Sequence, residues 1–198
     1  MKSILIAASL MLSTAVFAQD TDRVRLGNDV TATRTANSMH ADLMVGAAFP
    51  TGDIGDAIDT RIGYGAQFLA DLTPEFSLGA FVTTNSGEIN DINDYTMRLT
   101  YYGLVTHYKF HPNLFFQGRL GLSSLKVKND AGAGSASVTA DENPFILGVG
   151  LGTEFPITPN MAFAPFINYT HSFESGDGAS TVESYGLIEA VAALRFNF

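Results

Sequence analysis

The sequence predicts an all-β fold, an eight-stranded antiparallel up-and-down β-barrel that crosses a membrane. Three observations carry this expectation. Strand-length segments recur with apolar side chains at every second position, the period of a pleated strand. The connections between them alternate between short and long. The last segment has one wholly apolar face and ends on an aromatic residue.

The N-terminus reads as a secretory signal peptide over residues 1–18. Lys2 supplies the positive start, residues 4–12 an apolar core, and Val16-Phe17-Ala18 a small-residue cleavage site before Gln19. Position 19 is not cysteine, which argues against a lipoprotein. Removing Lys2, the one charge in this leader, leaves ten basic against twenty acidic side chains. An acidic chain is a poor partner for nucleic acid, whose phosphates require a basic patch. There is no cysteine, so disulfides and thiolate metal sites are excluded. Residues 19–38 are polar and aperiodic and are expected to form a flexible periplasmic extension, the alternative being a plug within the barrel.

Residues 39–198 are expected to form the barrel. Its strands are predicted at 40–49, 61–72, 75–84, 95–109, 113–125, 144–155, 161–173 and 182–198. Each approaches or exceeds the roughly 9–11 residues that cross a bilayer at a tilt. The second strand sets Ile62, Tyr64, Ala66, Phe68 and Ala70 against Gly63, Gly65, Gln67 and Asp71. The third sets Phe76, Leu78, Ala80 and Val82 against Ser77 and Gly79. The fourth is read with Met97, Leu99, Tyr101 and Val105 facing lipid, Arg98, Thr100, Tyr102 and Thr106 facing inward, and Leu104 falling inward with them. In the fifth, Leu114, Phe116, Leu120 and Leu122 oppose Gln117, Arg119 and Ser123. In the sixth, Phe145, Leu147, Val149 and Leu151 oppose Gly148, Gly150, Gly152 and Glu154, a glycine row with room for Tyr102, Phe81 or Phe166. The seventh sets Met161, Phe163, Ile167 and Tyr169 against Ala162, Ala164, Asn168, Thr170 and Ser172, with Pro165 calling for a bulge. In the last, Ile188, Ala190, Ala192, Leu194, Phe196 and Phe198 oppose a mixed face holding Glu189 and Arg195.

The connections after the second, fourth and sixth strands are short and carry Pro74, Pro112 and Pro159. Those at 50–60, 85–94, 126–143 and 174–181 are long and polar. Short periplasmic turns and long outer loops are the pattern of an outer-membrane barrel. A periplasmic N-terminus puts all four long connections outside the cell.

On these features the chain resembles the small outer-membrane β-barrel superfamily of the OmpA, OmpX and opacity-protein kind. The residues that carry the resemblance are the signal peptide, Phe49-Pro-Thr-Gly-Asp53, the Pro-Asn turns and the terminal Phe196-Asn-Phe198. The resemblance implies that Phe196 and Phe198 form a C-terminal signal read by the barrel-assembly machinery. It further implies periplasmic chaperones, outer-membrane lipid and lipopolysaccharide as partners, and a monomer in the outer membrane. No peptidoglycan-binding domain is expected after the barrel.

Candidate chemistry is sparse. On a strand, His107 and His111 would lie about 13 Å apart, too far for one metal ion. His171 and Ser172 are adjacent, so they point to opposite faces and cannot act as base and nucleophile. No enzyme, cofactor or metal is therefore expected. The acidic loops match no EF-hand spacing and read as solvated charge. Arg98, Arg119, Glu154, Glu189 and Arg195 are predicted to pair inside the barrel, because a charge facing lipid costs about 2–4 kcal/mol near the midplane. Tyr64, Tyr101, Phe116, Phe155, Tyr169 and Phe198 are predicted to form the aromatic girdles. The expected role is structural, or surface contact with a ligand through the outer loops. The alternatives are a narrow porin-like channel for ions or small solutes and, behind it, a lipid A-modifying enzyme.

Overall fold

A computed structural model describes residues 38–52, 60–88, 95–129, 137–139, 143–173 and 184–198. The expected signal peptide, the expected extension as far as residue 37 and most of the four long connections lie outside the described residues.

The strands are β1 (Met39–Thr51), β2 (Arg61–Asp71), β3 (Phe76–Glu88), β4 (Tyr95–His111), β5 (Leu114–Asn129), β6 (Ser137–Thr139), β7 (Phe145–Thr153), β8 (Phe155–Thr158), β9 (Met161–Phe163), β10 (Phe166–Ser172) and β11 (Tyr185–Asn197). The ring runs β1-β2-β3-β4-β5-β7-β10-β11 and closes where β11 pairs antiparallel with β1, an eight-stranded barrel. Along this seam the register holds from His40↔Asn197 to Thr51↔Gly186. Backbone bonds between Met39 and Phe198 seal its lower end. No ring strand keeps an open edge, as a bilayer interior requires.

The remaining segments extend the ring. β6 adds to β5 beyond the expected end of the fifth strand. β8 and β9 form the short hairpin that continues β7 and β10. The interruption falls at Ala164 and Pro165, where the sequence calls for irregularity. Pro165 gives its carbonyl to the Thr153 N–H (3.0 Å), and Ala164 N–H donates to Ala193 O (2.8 Å). The ladder thus passes the residue that lacks an N–H.

The outer wall carries the expected apolar stripes, including Leu43, Val45, Ile62, Tyr64, Phe68, Leu120, Val149 and Leu151, all exposed. Such a continuous apolar surface suits acyl chains rather than water.

One strand has the opposite phase to the expectation. In β4, Met97, Leu99, Tyr101 and Val105 are buried, whereas Arg98, Tyr102 and Leu104 face outward. The reason is position along the strand. Arg98 lies three residues from the start of the strand, at the end of the barrel that carries the long connections. His107 and Lys109 lie nearer the end with the short turns, and it is their inward placement that sets the phase. A one-residue slip would put His107 on the lipid wall together with every other inward side chain of β4.

The glycine row of β7 is filled, though not by Tyr102, which faces out. Phe115 and Phe166 occupy it: a Cβ at Gly152 would sit 2.4 Å from Phe115 Cζ and 2.6 Å from Phe166 Cβ. Gly152→Val should therefore overpack the interior and cost about 1–3 kcal/mol. The heat-modification midpoint on a gel should fall, whereas Val149→Ile on the lipid face should leave it unchanged.

Candidate functional site: the charged interior

The inward face is built by alternation. β1 turns His40, Asp42 and Met44 inward, β2 turns Arg61, Gln67, Leu69 and Asp71, and β5 turns Phe115, Gln117 and Arg119. Three levels result.

At the end with the short turns Arg195 is fully buried between two carboxylates. Its Nε and Nη2 donate to the two oxygens of Asp42 at 2.7 Å each, and Nη1 donates to Glu154 at 2.8 Å. Lys109 Nζ reaches the same Glu154 oxygen at 3.3 Å. Gln67 donates to Asp42 at 2.7 Å. His40 Nδ1 lies 3.3 Å from Asp71, which also accepts from Ser77 and Ser38 at 2.5 Å. His107 stacks on Phe115, with ring centroids 4.7 Å apart, and the Arg195 guanidinium lies 5.3 Å from the Phe115 ring.

At mid-height Arg119 Nη1 donates to Glu189 at 3.0 Å. Asn168 and Asn85 donate to the same carboxylate at 3.1 and 3.3 Å. The Arg119 guanidinium also lies 4.8 Å from the centre of the Phe81 ring. Gln117 links the two levels: with its amide nitrogen donating to His107 Nε2 (2.8 Å), its oxygen accepts from Arg119 Nε (2.8 Å). Towards the outer end the interior turns apolar, with Ala48, Met97, Leu99, Tyr101, Ile146, Tyr185 and Leu187 packed together.

Four of the five charges expected inside are there: Arg119, Glu154, Glu189 and Arg195. Arg98 is not, because it belongs to the exposed face of β4. Of the girdle candidates, Tyr64, Phe116 and Tyr169 face outward, at 55%, 53% and 42% exposure. Phe155 is half-buried and stacks on Phe163. Tyr101 is 1% exposed and inside, so Tyr102 takes its place on the wall. Phe198 is exposed at the end with the short turns and Phe196 half-buried. The sequence reading left His40, Asp42, Gln67, Asp71, His107 and Gln117 out of this network. His40 and Asp42 alternate with apolar Ala41, Leu43 and Val45, and that pattern was the available signal.

His40, Asp42 and His107 bring ligand atoms within 4.8 Å of one another, a spacing that a cation spans. The donor set does not suit one. Both Asp42 oxygens already serve Arg195, whose Nη2 is also 3.2 Å from His107 Nδ1. The guanidinium is the cation of this cluster. Ser172 is buried and directed inward while His171 faces the wall, so the two do not meet. His111 is exposed at the β4–β5 turn, whereas His107 is buried.

The fold recurs in solved outer-membrane proteins. Neisserial surface protein A superposes with a TM-score of 0.58 at 16% identity, over 83% of this chain and 98% of that one. Ail, the attachment invasion locus protein of Yersinia pestis, gives 0.55 at 12% identity, over 82% of this chain and all of that one. Ail in complex with the heparin analogue sucrose octasulfate gives 0.54 at 14% identity, over 82% of this chain and all of that one. No curated protein matches the sequence. A family model described as the outer membrane protein beta-barrel domain matches residues 4–196, and the chain belongs to that family.

Proposed function

We propose that this protein is a filled, non-conducting outer-membrane barrel whose role is structural or surface-interactive, exercised through its outer loops and its lipid-facing wall. The observation that carries the reading is the packed interior. An ionic layer, the Arg119–Glu189 layer and an apolar layer succeed one another across the lumen. Beside Glu189 a cavity lined by Met44, Gly46, Gly63, Thr83 and Asn85 has room for about one water. Eight strands enclose a space that side chains fill.

The wall faces outer-membrane lipid and lipopolysaccharide. Arg98 and Lys126 are cross-strand neighbours, both exposed, and lie outward of the apolar band marked by Tyr102 and Leu122. Two like charges side by side repel unless an anion lies between them, and lipid phosphates supply one at that height. The connections at 53–59, 89–94, 130–136 and 174–183 carry only acidic charges, among them Asp53, Asp56, Asp91, Asp94, Asp130 and Glu174. A surface ligand on this reading is cationic or neutral. Sucrose octasulfate, found with Ail, should not bind here, and a flat calorimetric titration in nanodiscs is the expected result. The assembly machinery and periplasmic chaperones would handle the chain through its Phe196 and Phe198 end. The protein acts as a monomer and catalyses no reaction.

Planar-bilayer recording tests the central point. Wild-type protein should give no reproducible conductance. Steady unitary currents altered by Arg119→Ala would replace this reading with a narrow channel for ions or small solutes. Altered lipid A masses on overexpression would instead point to an enzyme.

A further inference from the structure

Arg61 opens β2 at the outer end of the barrel with its side chain turned inward and 1% exposed. Its register partner in β1 is Ala48, which has no polar side chain. Its stem lies across Gly87, where a Cβ would sit 2.8 Å from Arg61 Cγ. That glycine lets the guanidinium reach β4, where Nη2 donates to Met97 Sδ at 3.0 Å, a weak acceptor. Among the described residues Nε and Nη1 have no hydrogen-bond partner, and the buried Tyr101 hydroxyl has at most the neighbouring Tyr185 phenol. Met97, Leu99, Tyr101, Tyr185 and Leu187 form one packed cluster at this level.

The contrast with the other inward arginines is direct. Arg119 is held by Glu189, and Arg195 by Asp42 and Glu154. Among the described residues no carboxylate pairs with Arg61. A buried guanidinium surrounded by thioether, aliphatic and phenol groups is strongly unfavourable unless an acceptor meets it. The unpaired guanidinium N–H groups can only donate, and a phenol O–H can donate beside them, so one acceptor could serve both.

We propose that Arg61 and Tyr101 form a binding site for a small monovalent anion, a halide or a simple carboxylate, at the outer end of the barrel interior. The charge count selects the class. One fixed positive charge is neutralised by a monovalent anion, whereas a dianion would leave excess negative charge within an apolar wall. Phenol hydroxyls donate to such an ion and cannot neutralise it, so Arg61 supplies the charge and Tyr101 a hydrogen bond. Gly87 is the structural provision for the site, since any side chain there would displace the Arg61 stem. The site needs no conducting lumen, so it stands apart from the proposed structural role.

Full-length protein in lipid nanodiscs is titrated with chloride against a bulky sulfonate at constant ionic strength, with arginine Nε–H resonances followed by NMR. The expected result is one saturable resonance, identified as Arg61 by its absence in Arg61→Met. Bromide and formate should reproduce the shift. Tyr101→Phe should weaken the midpoint about tenfold, the size of one hydrogen bond to a charged group. Chloride should also raise the heat-modification midpoint of the wild type and leave that of Arg61→Met unmoved. No saturable shift, or one that persists in Arg61→Met, overturns the proposal. So does a signal whose solvent exchange ignores chloride, which would mark water as the only guest. Should Arg61→Met fail to fold, Tyr101→Phe decides alone, and an unchanged midpoint in that variant overturns the site.

Discussion

Arg195→Ala should destabilise the barrel by about 3–5 kcal/mol, because it strands Asp42 and Glu154 as buried carboxylates. Asp42 would keep Gln67, and Glu154 would keep Lys109, which is why the loss is not larger. Denaturant unfolding in lipid vesicles, read by heat-modifiability, measures it. The triple change Asp42→Asn, Glu154→Gln, Arg195→Met removes the charges together and should recover much of the loss, since the penalty lies in unpaired charge rather than missing attraction. A loss below about 1 kcal/mol for Arg195→Ala, the range of exposed ion pairs, would mean that water already reaches these groups. That outcome would count against the filled interior and revive the channel reading.

The second large effect tests the phase of β4. Leu104 is 54% exposed on the lipid wall, and Arg98 lies on the same face nearer the outer end. Leu104→Arg should cost about 2–4 kcal/mol if it lies near the midplane. Arg98→Leu should change stability by less than about 0.5 kcal/mol, as for a solvated surface site. The pair carries its own control, since both changes exchange the same two residue types on one face of one strand. Equal losses from the two would mean that β4 is turned the other way, with Arg98 inside and paired.

The fold was legible because lipid imposes a strict rule on half of each strand, and β2, β3, β5, β7 and β11 obey it without ambiguity. β4 misled because both its faces are largely apolar: Met97, Leu99 and Val105 on one, Tyr102 and Leu104 on the other. A charge is a reliable marker of phase only at lipid depth, and Arg98 stands near the start of its strand, next to a long connection. His107 was the better marker, and its ring packs within the polar cluster. The charged interior was legible in composition and not in partnership. Arg119–Glu189 joins residues 70 positions apart, and Arg195–Asp42 joins residues 153 apart. Periodicity says which side chains face inward, while strand tilt and shear decide which of them meet. Arg61 escaped notice because it stood at the edge of a loop, where alternation has barely begun.

The seam between β1 and β11 has a kinetic consequence. It unites the two most distant strands of the ring, and the Arg195–Asp42 clamp spans it. Neither can form until every intervening hairpin has been threaded into the bilayer, so Asp42 and Arg195 must stay hydrated while the rest of the wall is laid down. Sealing the cylinder and drying its lowest ion pair are then a single late event. Slowing that event, by weakening the clamp, should leave an open-edged sheet waiting in the membrane.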